Sequence, residues 1–184
     1  MKNNSCIPHF GFIFFLLITL NAQGQSFPKP DTSPMDLAIA RGENQKIIAR
    51  IIYSRPQKKG REIFGKLVPY NEVWRTGANE ASEIDLYIPV QLENHTINTG
   101  TYSLFTIPRE NEWDIILNRK TNIWGTDYEK SYDVLCVTVP SRRSAAPIES
   151  LSMAFRKDED GISLMIGWDD RYVEVPMKFI TEED

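Results

Sequence analysis

An all-β fold, a two-sheet antiparallel sandwich with the jelly roll among its forms, is what this sequence predicts. Three observations lead there. Short runs of alternating apolar and polar residues recur along most of the chain. Turn-forming residues separate them at close spacing, and no stretch carries a convincing 3.6-residue repeat. With 41% hydrophobic and 11% aromatic residues, the chain has the material for a real core.

The amino terminus is set apart from this pattern. Lys2 precedes a nearly unbroken apolar run, Gly11 to Leu20, and small residues follow at Ala22 and Gly24. That order is the one a secretory signal has, with cleavage after Gly24. The run is short for a bilayer span of about 20 residues, and Cys6 lies before it rather than after, so neither a membrane anchor nor a lipoprotein is predicted. The expectation is an exported protein, periplasmic or secreted, without membrane insertion after cleavage. Taking 24 of 184 residues away leaves 160, the size of one domain. The segment holds one lysine and no acid, so the net charge moves from −4 to −5. That mild acidity gives no footprint for nucleic acid.

Residues 25–35, rich in proline and polar side chains, read as an extended arm before a single domain over 36–180. Leu37 to Arg41 and Gln45 to Tyr53 flank Gly42-Glu43-Asn44 as a hairpin. The second run has apolar residues on both parities, as an interior strand would. Ser82 to Ile88 alternates cleanly, with Ile84, Leu86 and Ile88 on the buried face. Gln91 to Asn98 is a small hairpin. Thr101 to Ile107 and Trp113 to Asn118 form another, followed by a longer loop to Asp133 that carries Trp124, Tyr128 and Tyr132. Four runs complete the domain: Val134 to Val139, ending at Pro140, then Ser150 to Arg156, Ile162 to Trp168 and Arg171 to Met177.

Between Tyr53 and Ala81 the alternation stops. A structureless connection of this length in a compact domain is usually functional, or else conceals elements that the alternation misses. Short apolar pegs (Ile63-Phe64, Leu67-Val68, Val73-Trp74) pin it, and Arg55, Arg61 and Arg75 sit between them, with Asn79 and Glu80 at its end.

These motifs carry a resemblance. Tyr53-Ser54-Arg55-Pro56, Lys59-Gly60-Arg61, Ile63-Phe64-Gly65, Val68-Pro69-Tyr70 and the run Val73 to Ala81 are similar to the signature of a bacterial family known as domain of unknown function 2911. Gly100 to Pro108, Trp113 to Asn118 and Trp124-Gly125 continue it, so that it spans about Pro34 to Met177. The resemblance implies a β-rich exported domain; it carries across no activity, and therefore no catalytic residues.

Two readings of the arginines stay open. In one they pair with Glu62, Glu72 and Glu80 to satisfy an irregular loop, while Gly77 supplies a positive φ. In the other, Arg75, Asn79 and Glu80 converge on a cleft near Arg55 and Arg61, where guanidinium forks suit an anionic or polyhydroxylated ligand. Trp124 or a neighbouring tyrosine would stack on its ring.

Composition narrows the chemistry. After cleavage only Cys136 and His95 remain of their kinds. That leaves no disulfide, no Cys–His dyad and no ordinary Cys/His zinc site. Cys136 reads as a buried, inert thiol. The acidic turns Asp158-Glu159-Asp160-Gly161 and Asp169-Asp170 lack the EF-hand order. No cofactor or metal is predicted. The favoured function is a non-catalytic binding module for a glycan or a small polar or anionic ligand. A glycoside hydrolase or lyase, using Glu80 with Glu83 or Asp85, is the catalytic alternative. A structural subunit of an envelope assembly is the third.

Overall fold

The first hairpin forms where the pattern places it, from β1 (Met35–Arg41) and β2 (Ile47–Ser54). A single 3-10 turn, Glu43–Gln45, joins them, with Asn44 and Gln45 at φ 53 and 60. The structure, a computed structural model, describes residues 26–180. The predicted signal segment and its cleavage point lie outside them.

Seven further strands follow: β3 (Ser82–Leu86), β4 (Val90–Leu92), β5 (His95–Ile97), β6 (Gly100–Pro108), β7 (Glu112–Asn118), β8 (Asp133–Lys157) and β9 (Gly161–Phe179). All pairings are antiparallel, and the strands form one large sheet in the order β1-β2-β3-β6-β7-β8-β9-β4-β5. β2 lies inside it, which accounts for apolar residues on both its parities: Ile48 as well as Ile51 and Tyr53 are buried. On β3, Ile84 and Leu86 point inward as the alternation requires.

Two strands are longer than the pattern predicts. β8 joins the predicted Val134–Val139 and Ser150–Arg156 runs. It pairs with β7 as far as Pro140 and with β9 from Ser141, and its register slips twice between Arg143 and Ser152. The change of partner falls at a residue with no N–H to give the ladder. β9 joins the predicted Ile162–Trp168 and Arg171–Met177 runs. Nineteen extended residues would reach about 60 Å. Yet the Phe179 N–H donates to the Asp160 carbonyl at 2.9 Å, so β9 doubles back on itself. Asp169, at φ 54, stands at the predicted Asp169-Asp170 joint. What the sequence presents as a break is a bend in continuous extended backbone.

One main core gathers Ile51, Ile84, Trp113, Leu151, Ile166 and Trp168, all essentially without solvent contact. Phe105 and Ile116 belong to a smaller second cluster on the other face of β6 and β7. Ile123 and Tyr128, from the Asn118–Asp133 loop, cover it. The Tyr128 ring lies 4.9 Å from Phe105, and its hydroxyl donates to Asp133 at 2.6 Å. Burial and that bond raise the Tyr128 pKa. Tyr128 is thus a lid, whereas Trp124 and Tyr132 are exposed.

Cys136 corrects an expectation. It is exposed, because Leu135 and Val137 take the inward positions of β8 and leave Cys136 on the outward face. Its thiol is nonetheless pushed up in pKa, by lost hydration first and then by the charges of Asp114 and Asp133.

Beside it, Arg109 grips Asp114 with both terminal guanidinium nitrogens, at 2.8 and 2.6 Å, and the Thr138 hydroxyl adds a third bond at 2.8 Å. The Arg109 bond is the main cause that holds the Asp114 carboxyl below the usual carboxylate range, against the opposing effect of burial. A depressed folded-state pKa stabilises the fold above the ordinary carboxylate range and ceases to do so as pH falls through the lowered value. Asp114→Asn is therefore expected to cost about 1–2 kcal/mol at neutral pH. The deficit should shrink in strong acid. Urea unfolding of both proteins at about pH 7 and pH 2.5 checks this, and a deficit independent of pH would contradict it.

Candidate functional site

The segment after β2 is held tightly to the sheet. Gln57 bridges to Ser150 of β8, the Lys58 N–H donates to the Glu149 carbonyl at 2.7 Å, and the Lys59 N–H to the Glu149 carboxylate at 2.8 Å. Lys58 also forms an ion pair with Asp169 at the bend of β9. The chain then turns sharply through Lys59 (φ 48) and Gly60 (φ 71). Arg61 closes the turn by donating to the Lys58 and Gln57 carbonyls at 2.9 and 2.5 Å. The two cations Lys59 and Arg61 are displayed on this turn, both exposed.

Further along, Ile63, Phe64 and Val68 enter the core as the predicted pegs. Trp74 exchanges backbone bonds with Thr106 of β6, at 2.7 and 2.9 Å. Its ring packs edge-on against Phe64 and Trp113 and stacks on Trp168, centroids 6.0 Å apart and planes 18° from parallel.

At the end of the segment the positive φ falls on Thr76 (52°), not on Gly77 as expected. Gly77 is required for space: a Cβ there would meet the Ser82 hydroxyl at 3.0 Å and the Ser54 carbonyl at 3.4 Å. A β-branched residue at positive φ is uncommon and costly. Here its buried hydroxyl bonds to Thr106 at 3.1 Å and to the Trp74 carbonyl at 3.2 Å.

A cleft of about 500 Å³ opens between these parts. Lys59, Arg61 and Arg75 supply its charge, Trp74 and Trp168 its aromatic surface, and Thr32 and Ser33 of the amino-terminal arm its hydroxyls. Thirteen residues line it and none is acidic, although acids outnumber bases 25 to 21 in the chain. Of the acids that touch the neighbouring turn, Asp169 pairs with the Lys58 ammonium, and the Glu149 carboxylate accepts the Lys59 backbone N–H.

The six residues singled out in the sequence divide. Arg61 and Arg75 line the cleft. Arg55 does not. It clamps the sheet, bonding to Asp36 at 2.8 Å, the Leu151 carbonyl at 3.0 Å and the Ser152 hydroxyl at 3.0 Å. Its anionic partner is Asp36 rather than one of the glutamates of the segment, and none of Glu62, Glu72 and Glu80 pairs with an arginine among the described residues. Asn79 (φ 60) and Glu80 form a backbone seam with the loop beyond β7. The Gly125 N–H donates to the Asn79 carbonyl at 3.0 Å, and Glu80 bridges to Trp124. Trp124 lies on that seam and is not among the residues lining the cleft. The aromatic surface of the cleft is Trp74 with Trp168, the latter distant in sequence.

The seam matters because of what it holds. Gly125 is buried against Arg75. A Cβ there would fall 2.0 Å from Arg75 Cδ, 2.8 Å from Arg75 Cβ and 2.8 Å from the Asn79 carbonyl oxygen. Arg75 also lines a second hollow of about 320 Å³ with Val73, Thr126 and Tyr128. Its Nε is buried without a hydrogen-bond partner, and no carboxylate pairs with it among the described residues.

The chain matches the model of a family described as "Protein of unknown function (DUF2911)" over residues 33–177. It belongs to the DUF2911 family. Neither a curated protein nor a solved structure matches it. The DUF2911 region covers every strand of the sheet except the end of β9, so the cleft is a feature of the family domain and the arm together. No helix among the described residues of this DUF2911 protein is long and apolar enough to cross a membrane.

Two of the three carboxylates considered for catalysis are engaged elsewhere in this domain. Asp85 takes Arg50 Nε and the Thr101 hydroxyl, each at 2.5 Å, and Glu83 accepts the Asn122 N–H at 2.5 Å. Glu80 is exposed on the seam. The acidic turn before β9 is likewise engaged, Asp158 with Arg156 and Ser163 and Asp160 with Lys178. Among the described residues no group of three or more His, Cys, Asp or Glu side chains is arranged to hold a metal ion.

Proposed function

We propose that this DUF2911 protein is an exported, non-catalytic binding module, and that it holds a glycan or a small polar or anionic molecule in the cleft between the Lys58–Arg61 turn and Arg75. In this reading the two halves of the sheet act as the facing layers of a sandwich-like scaffold. The observation that carries the reading is the charge of the cleft: three cations and no carboxylate in a concavity large enough for a small ligand. Cations left unneutralised around a hollow favour binding of negative charge. A glycoside hydrolase needs two carboxyl groups facing one site, and this cleft offers none, which favours binding over hydrolysis. Export rests on the amino-terminal signal pattern, and the amino terminus of protein recovered from a native-like host tests it.

A thermal-shift screen of the full chain against arrays of neutral glycans, acidic glycans and small organic anions tests the binding. The expected result is stabilisation by members of at least one array, by RT ln(1 + [L]/Kd), about 2.7 kcal/mol at a hundredfold excess over Kd. Binding that is unchanged by the Lys59→Gln/Arg61→Gln double variant would place the ligand elsewhere and defeat the reading.

A further inference from the structure

We infer that the ligand of this cleft is a sugar-sized ring bearing a carboxylate or phosphate, whose oxyanion is bound by Arg75 while the ring lies against Trp74, which Trp168 backs from the core. The inference rests on the binding function proposed above and narrows its ligand.

Arg75 is the residue that decides it. Three facts, found together in no other arginine among the described residues, set it apart. Its Nε is buried and has no partner, which in a native fold calls for an explanation. It has no carboxylate partner among the described residues, whereas Arg50, Arg55 and Arg109 each have one. And its stem is held by a glycine whose Cβ would collide with it. An arginine held by its stem, with terminal nitrogens that make no hydrogen bond among the described residues and an uncancelled charge, is prepared for an oxyanion. The planar fork matches carboxylate and phosphate alike through two parallel bonds. Lys59 and Arg61 add charge from the opposite turn without needing a fixed geometry.

The remaining lining sets the rest of the molecule. Trp74, half-buried, offers flat apolar surface with Val68 and Ala78 beside it, and the buried Trp168 ring backs it from the core. Gln57, Thr32 and Ser33 offer amide and hydroxyl groups suited to ring hydroxyls. A bare anion would leave the aromatic surface unused, and a neutral sugar would leave the three cations unused. One molecule that engages both is an acidic or phosphorylated monosaccharide, and about 500 Å³ holds it with some of its water.

Calorimetric titration of the full chain at low salt with four probes tests this: glucuronate, glucose 6-phosphate, glucose and inorganic phosphate. Glucuronate, glucose 6-phosphate or both are expected to bind at least tenfold more tightly than glucose and than inorganic phosphate. Which of the two binds tells carboxylate from phosphate. Affinity should fall as salt is raised, and it should fall at least tenfold in Arg75→Gln. The Lys59→Gln/Arg61→Gln variant, altered only on an exposed turn, should also weaken binding and serves if Arg75→Gln does not fold. Glucose binding as tightly as glucuronate would overturn the charge requirement while leaving the binding function standing. Silence from all four probes overturns the inference. In that case the glycan and anion arrays separately decide the broader reading. Tight binding of inorganic phosphate alone would overturn the ring.

Discussion

Arg75→Gln is expected to lose ligand affinity by about 10- to 150-fold while the fold keeps its stability within about 1 kcal/mol. The affinity figure is that of one or two charge-assisted hydrogen bonds, about 1.5–3 kcal/mol. The small stability change follows from the absence of a partner. Removing one member of a buried ion pair is costly because the other member is left charged and alone. Arg75 has no carboxylate to abandon among the described residues, and its Nε is already unsatisfied. Arg55 makes the contrast. Arg55→Ala breaks bonds to Asp36, the Leu151 carbonyl and Ser152, and so removes a tie between the end of β2 and β8. It should cost about 1–3 kcal/mol and leave the affinity nearly intact. Paired urea melts and titrations of the two variants separate the roles. A destabilised Arg75→Gln that still binds normally would show that the arginine is a clamp.

Gly125→Ala is expected to give a clear loss of stability from a single added methyl group. Its Cβ would overlap Arg75 Cδ and crowd the Asn79 carbonyl, which is backbone and part of the seam with the loop beyond β7. Overpacking at such a site costs about 1–3 kcal/mol. Relief by moving Arg75 would spoil the cleft, so weaker binding should accompany the loss. Gly60→Ala is the control. It meets nothing within 4 Å and is penalised only by its φ of +71, about 1 kcal/mol. Equal melting points for the two variants would mean that the Trp124-Gly125 turn does not press on Arg75.

These contrasts mark how far the residues could be read without coordinates. The hairpins were legible because period-two alternation and local turn chemistry settle them within about ten residues: Ile84 and Leu86 point inward on β3, and the β6–β7 pair closes over Pro108 to Glu112 as its turn residues indicate. The long strands were not. A proline at 140 and an Asp169-Asp170 pair are loop signals, yet in this sheet one marks a change of partner and the other a bend. The Arg55–Glu80 segment stood out because alternation stops there, and two of its three arginines do line the cleft. Spacing alone carried no information on which. Arg55 is turned away by Asp36, nineteen residues earlier, and Leu151, ninety-six residues later. Trp168 reaches the cleft only because β9 bends beside it. Lys59 had a local signal that went unused, the Lys-Gly pair of a left-handed turn that displays it.

The most direct test of the site is its effect on the four tryptophans. Their indole N–H signals in a nitrogen-15 correlation spectrum are assignable with four Trp→Phe variants, and the tightest binder from the arrays is then titrated in. Saturable shifts at Trp74 and Trp168, with Trp124 unmoved, are the result this account predicts. Shifts confined to Trp124, with the Trp74–Trp168 pair silent, would contradict it and move the ligand to the outer loop.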